Sequence, residues 1–410
     1  MRAGQKVYDL TPDAPFYLIG YANKESRKAP ARGVHDPIYA NALLLESNQT
    51  EVFVVSLDLI ELEEEFCDQM RQELSEKYGI RKENILLSVT HNHQSVRDYH
   101  HTWQSGVYRP AYEEFLKETI KKAYVECKAE LREVEVYYGR KVITGYYGNR
   151  DHKGQLADNE VIRIEFRADG KAVAGIVNWA VHSTLLSPDN PYLSGELAGN
   201  TATELEKRLS YRPLFLLGAA GDCSTRNYAE KKDFEELEKF SFYLGKEIAE
   251  IPVTDKLEAE YQKTEEASYR ICYDMDQYRP AYEEELRRCE ELMNVKDAKV
   301  HGISPRFCKI LIEKKLKNRQ VDIRLTSDLI SFGDLIFVTS EGELGSKFGL
   351  ELKGIRPDKC VVIAGYTNGF QHYMMPAEEY GKGMEDLDSL YPKGEIEHYI
   401  DAIAEALKKL

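Results

Sequence analysis

The sequence predicts an α/β fold, mixed α+β in its arrangement, with central mixed β-sheets flanked by helices. Short apolar runs of strand length alternate with polar, amphipathic stretches of helix length. Local stop and turn signals divide them, as at Gly79 and at Asp169–Gly170. With 42% hydrophobic residues in 410, the chain has enough apolar material for a large core.

The runs "EVFVVSLDL" (51–59) and "NILLSV" (84–89) predict buried strands, and "EEEFCDQMRQELSEKYG" between them predicts a helix stopped by Gly79. A helix follows at 112–130 and a strand at 133–140. Residues 161–182 predict a hairpin turning at Asp169 and Gly170. Next come a helix at 196–209, a strand at 212–221 and a helix at 231–250. From about 253 to 320 the composition shifts to charged stretches such as "DKLEAEYQKTEEASYR", which predict a helical excursion, with one helix at 280–293. Strands at 320–340 and 359–367 and a helix at 395–409 complete the chain. No internal repeat is present, and residues 1–410 are expected to form a single catalytic domain.

Charge and cysteine content narrow the function. With 55 basic and 70 acidic residues the formal charge is −15, which offers no general attraction to nucleic acid or anionic lipid. The seven cysteines are scattered and odd in number, which argues against a disulfide framework or a cysteine zinc knuckle. No apolar run reaches the length of a signal peptide or of a membrane span, so neither export nor stable membrane insertion is expected and the location reads as cytoplasmic.

The ten histidines include a pair two residues apart, His91 and His93, in "SVTHNHQS" just past a strand end. A strand-end loop can bring imidazoles to one point, and zinc takes imidazole nitrogen and carboxylate oxygen in four-coordinate sites. Other strand ends offer His182, Glu341, Glu343, His372 and Tyr373. Each also has a structural reading: a satisfied core histidine, a turn carboxylate, a packed aromatic.

Taken in order, "GYANKESRKAPARGVHDPIYANALLL", "VFVVSLDL", "LLSVTHNHQS", "VNWAVHSTLLSP", "GAAGDCSTRN", "SEGELG" and "HYMMPAEEY" resemble the catalytic region of the neutral/alkaline (non-lysosomal) ceramidase family. That family consists of zinc amidases that cleave the N-acyl bond of ceramide. The resemblance implies one zinc per chain, held by His91, His182, Glu343 and Tyr373, with Glu343 preferred to Glu341 because it follows Gly342. It implies His93 beside the metal as proton-transfer group, with Arg150 and Ser224 as further catalytic residues. Asn149 and His35 fall on the substrate side, and Asp222 is a candidate acceptor there, although a His-Asp-Pro turn at His35 and a turn-forming role for Asp222, the commoner one for an aspartate after glycine, are also open. His100 and His101 either line the entrance or lie on a solvated loop.

The implied chemistry is hydrolysis of a linear amide, since zinc with an open position acidifies water and polarises a carbonyl. A serine-dependent amidase or esterase using Ser224 as covalent nucleophile is an alternative, and so is a catalytically silent binding protein. Three departures point to a lipid-like or small N-acylated amine other than ceramide. The pair continues as "HNHQSVRD", the serine loop reads "CSTRN" without its proline, and Glu385 stands where the family has a tyrosine. The chain also stops at Leu410, so the family's C-terminal immunoglobulin-like domain is expected to be missing.

Overall fold

The computed structural model describes residues 1–21, 25–99, 108–317 and 319–410. Its longer strands are β1 (Arg2–Asp9), β2 (Tyr39–Ser47), β3 (Thr50–Leu57), β4 (Ile85–Val89), β5 (Glu135–Val142) and β6 (Glu160–Ala168). They continue with β7 (Lys171–Trp179), β8 (Leu214–Leu217), β9 (Lys263–Asp274), β10 (Gln320–Phe332), β11 (Leu335–Thr339) and β12 (Cys360–Ala364). The helices are α1 (Glu64–Tyr78), α2 (Pro110–Ala129), α3 (Glu196–Leu209), α4 (Phe234–Ala249), α5 (Arg279–Leu292), α6 (Pro305–Leu316), α7 (Ser346–Ile355), α8 (Glu385–Asp388) and α9 (Glu395–Leu407).

The strands form three mixed sheets, in agreement with the fold class read from the sequence. The first runs β4-β3-β2-β1 and adds Arg132–Glu133 at its edge; the second runs β8-β7-β6-β5 and adds Asp255–Leu257; the third runs β9-β10-β11-β12. Each ends in one parallel pair, β3 with β4, β7 with β8, and β11 with β12. Parallel neighbours need a crossover, and α1, α3 and α7 supply the three. In open α/β sheets ligands bind outside the carboxyl ends of such strands, and here those ends carry the histidines and acids singled out above.

Alternation along the strands explains the packing. In β3, Val52 and Val54 face an apolar cluster shared by all three sheets, with Leu86, Ile164, Leu216, Phe337 and Val362. Phe53, Val55 and Leu57 face the other way, onto Met70 and Leu74 of α1 and Leu116 and Ile120 of α2. Burial on both faces makes the run continuously apolar. The outer face of the third sheet packs on α7 and α9 through Phe348, Leu352, Ile396, Tyr399 and Ile403.

Local signals act as the sequence implies. Gly79 takes φ +78° and returns its N–H to Ser75 O at 2.9 Å, closing α1. Asp169 and Gly170, at φ +49° and +75°, turn the β6–β7 hairpin. The stretch 253–320 differs from expectation because it opens with strands. β9 pairs with β10 over its whole length, Lys263↔Ser331 to Asp274↔Gln320, before α5 and α6 follow. Its inward residues, Ala267, Tyr269, Ile271 and Tyr273, alternate with exposed ones, the period of a half-solvated strand, within a stretch whose charge suggested helices. No helix among the described residues is long and apolar enough to cross a membrane.

Candidate metal centre

His91 and His93 follow β4, and His91 sits at φ +52°, a left-handed conformation that costs strain in a non-glycine residue. Its Nδ1 lies 2.7 Å from Ile60 O, past the end of β3. A carbonyl can only accept, so Nδ1 carries the proton and Nε2 presents a lone pair. His182, past β7, repeats the arrangement: Nδ1 donates to Ala220 O at 2.7 Å and Nε2 faces inward. A donor bond from the far nitrogen to a backbone carbonyl is the usual support of a metal-binding histidine. His93 lacks it. Its Nε2 approaches His91 Nε2 at 3.0 Å, while its buried Nδ1 has no hydrogen-bond partner among the described residues. One nitrogen from each of His91, His93 and His182 falls within 4.8 Å of the others.

Two-residue ribbons bring in the other groups. Glu343–Leu344 pairs in parallel with Tyr373–Met374, so Glu343 and Tyr373 are cross-strand partners. Glu343 Oε2 lies 2.9 Å from His182 Nε2 and 3.7 Å from His91 Nε2. Glu341 points elsewhere and accepts from Thr326 Oγ1 at 2.6 Å. Tyr366, which the sequence reading did not select, donates to Glu343 Oε2 at 3.1 Å and lays its ring 4.6 Å from that of His91. It lies two residues beyond β12, whereas the strand expected at 359–367 kept it inside the strand and so hid it from the strand-end rule.

Gly148–Asn149 pairs with Cys223–Ser224 in a second ribbon. Arg150, next along, is buried and contacts three groups. Nε donates to Glu385 Oε1 at 2.6 Å, NH1 lies 3.3 Å from His182 Nε2, and the guanidinium stands 5.2 Å from the centre of the Tyr373 ring.

Burial sets the charge states. It drives His91 down to about 4, against the pull of Glu343, and His182 down to about 3 with help from Arg150. His93 is pushed well below its ordinary range by burial and by its two histidine neighbours. All three are therefore neutral at pH 7. Burial raises Glu343 and lifts Tyr373 well above the usual phenol value, although Arg150 opposes both shifts. Burial works against the Arg150 charge, but Glu385 and Tyr373 outweigh it.

The resulting donor set fits a divalent cation. Two imidazole lone pairs, fixed by backbone carbonyls, meet a carboxylate oxygen with no obligatory proton between them. Either a proton held on Glu343 or a cation resolves that repulsion. Nitrogen and carboxylate oxygen together suit zinc.

The remaining sequence candidates are placed as follows. Ser224 is buried, and its Oγ accepts from Arg226 N at 3.1 Å. Asn149 Oδ1 accepts from the backbone of Asp151 and His152, and its Nδ2 donates to Leu156 O, so it shapes its own loop. Asp222 Oδ1 accepts from Ser346 N and Oγ at the start of α7, and burial raises its carboxyl to about 6. His35 has its Nδ1 2.8 Å from Asp36 Oδ2, and its ring stacks on Phe234 at 3.5 Å. His100 and His101 lie outside the described residues.

Residues 2–216 match the family model described as neutral/alkaline non-lysosomal ceramidase, N-terminal. Among curated proteins, a neutral ceramidase from Oryza sativa subsp. japonica is 24% identical over 226 residues, covering 50% of this chain and 28% of the relative. Neutral ceramidase 2 of Arabidopsis thaliana is 24% identical over the same length, covering 50% of this chain and 29% of the relative. The chain thus aligns with less than a third of each plant protein. Among solved structures, one titled as a ceramidase complexed with C2 superposes with a TM-score of 0.77 at 16% identity, covering 99% of this chain and 74% of that one. The neutral ceramidase from Pseudomonas aeruginosa gives a TM-score of 0.75 at 16% identity, covering 100% of this chain and 75% of that one.

Proposed function

The chain belongs to the neutral/alkaline non-lysosomal ceramidase family, and from that premise we propose that it hydrolyses the N-acyl bond of a linear amide with one zinc ion per chain. His91, His182, Glu343 and Tyr373 would hold the metal. The observation that carries this reading is the convergence of the His91 and His182 Nε2 lone pairs on Glu343 Oε2, with both Nδ1 atoms committed to backbone carbonyls. When bound, zinc supplies Lewis acidity, polarising the amide carbonyl and making water a nucleophile at neutral pH.

The chain's own residues do the rest. His93 is neutral at pH 7, and its Nδ1 has no partner among the described residues, so it can take a proton and return it to the departing amine. That proton is needed because a tetrahedral amide adduct collapses only once its nitrogen is protonated. The Arg150 guanidinium presents positive charge beside His182, and the Ser224 hydroxyl proton has no acceptor among the described residues, so both suit a developing oxyanion. Asn149 and Asp222 support this side of the site through the loops they brace.

A covalent serine route is less well supported. The hydrogen bond at Ser224 Oγ comes from Arg226 N, and among the described residues no imidazole is bonded to it to act as its base.

The substrate follows from Glu385. A buried carboxylate paired with Arg150 occupies the region where the family resemblance places a tyrosine, which favours an N-acylated amine smaller or more polar than ceramide. The test is free-amine release from long-chain ceramide and from short-chain N-acyl amines under matched conditions, before and after chelator treatment. The reading expects higher kcat/KM on the short substrates and loss of activity on metal removal. A clear preference for ceramide would overturn the substrate assignment, and undiminished activity in stripped protein would overturn the metal assignment.

A further inference from the structure

The Arg150–Glu385 pair lies against the candidate metal ligands, and its geometry poses an electrostatic problem. Arg150 NH1 is 3.3 Å from His182 Nε2, the atom whose lone pair a metal would use. A guanidinium keeps its charge at all ordinary pH, so by itself it would repel a divalent cation and compete for that nitrogen. Glu385 Oε1 accepts from Arg150 Nε at 2.6 Å and is also paired with NH2. Both side chains are buried, 5% and 3% exposed, so solvent screens the interaction little.

Resting on the metal reading above, we propose that Glu385 is a positioning residue that makes the centre able to accept a cation, by neutralising the Arg150 guanidinium that stands against His182 Nε2. Glu385 ligates nothing in this role; it acts through Arg150.

The fold holds Glu385 firmly for the task. It opens α8, whose next two residues are gripped by the α5–α6 region. Asp386 O accepts from Lys315 Nζ at 2.8 Å, and the Asp386 carboxylate pairs with His301 Nδ1 at 3.4 Å. Leu387 is buried in an apolar cluster with Cys289, Cys308 and Ile312. His301 itself is tied to Glu285 of α5 at 2.9 Å. The charged excursion therefore fixes the backbone from which Glu385 reaches the metal side of the site.

The experiment is competitive zinc titration of the stripped 410-residue chain against a chromophoric chelator, for wild type, Glu385→Gln, Arg150→Met and the double variant, each checked for native near-ultraviolet circular dichroism. Electrostatic positioning predicts opposite signs for the single variants. Glu385→Gln weakens zinc binding by about 10- to 100-fold, the scale of outer-sphere partners. Arg150→Met, which leaves Glu385 as excess negative charge, binds zinc more tightly than wild type, and the double variant returns toward the wild-type affinity. Equal weakening in both single variants marks a purely structural pair and overturns the proposal, as does wild-type affinity in Glu385→Gln. Should Glu385→Gln not fold, the sign of the Arg150→Met change decides. Failure of the metal reading itself is distinct, because then the wild-type protein takes up no zinc.

Discussion

Replacing Tyr373 by Phe should change the proton stoichiometry of zinc uptake by one, and the environments of the ligands fix where this can be seen. His91 and His182, held at about 4 and about 3, are already unprotonated above pH 6.5 and release nothing when a metal arrives. Tyr373 is different: an ordinary phenol near 10 holds its proton about a thousandfold at pH 7, and burial lifts this one higher still. Binding as a phenolate therefore displaces a whole proton, at a cost of at least about 4 kcal/mol that the metal's charge must offset. The logarithm of the apparent zinc affinity should rise by about one per pH unit from this residue alone. Glu343, raised by burial and opposed by His91 and Arg150, adds a fraction that fades as pH rises through its pKa. Between pH 6.5 and 8.5 the Tyr373→Phe protein should show a slope about one unit shallower than wild type, and calorimetry in buffers of different ionisation enthalpy should count one proton fewer. The wild type should also develop the ultraviolet difference spectrum of a tyrosinate. Identical slopes and proton counts in the two proteins would remove Tyr373 from the ligand set and leave the ring as packing beside Arg150.

His182→Ala should sharply reduce zinc content by elemental analysis, whereas full occupancy would exclude His182 as a ligand. His93→Ala should keep the metal and lose about 10²-fold or more in kcat, the usual scale for a general acid or base; joint loss of metal and activity would make His93 a ligand. Ser224→Ala should remain measurably active after a drop of about 10²- to 10³-fold, the value of one oxyanion donor. No acyl adduct should appear on the Ser224 peptide by mass spectrometry, and a trapped adduct released at the turnover rate would establish the serine route instead.

Much of this architecture was legible in local signals. Gly79 ends α1 and Asp169–Gly170 turn a hairpin because both places require left-handed backbone. The long apolar runs mark strands buried on two faces. The histidines, Glu343 and Tyr373 drew notice because chemistry-bearing residues followed such runs. Three features were not readable in the same way. β9 carries the alternation of a half-solvated strand, but the dense charge of the stretch in which it lies masked that period. Tyr366 was one tyrosine among 27 until the fold set its hydroxyl on Glu343. The Arg150–Glu385 pair joins residues 235 positions apart, and no local pattern encodes such a contact.

Whether the chain carries a single metal-dependent amidase centre is tested most directly by following zinc occupancy and amide hydrolysis together. Stripped protein is titrated with zinc while bound metal and free amine released from a short-chain N-acyl amine are read in the same samples. Hydrolysis should rise in proportion to bound zinc and reach its plateau at one equivalent per chain. Hydrolysis at full rate before any zinc is bound, or stoichiometric zinc binding with no N-acyl hydrolysis, would contradict it.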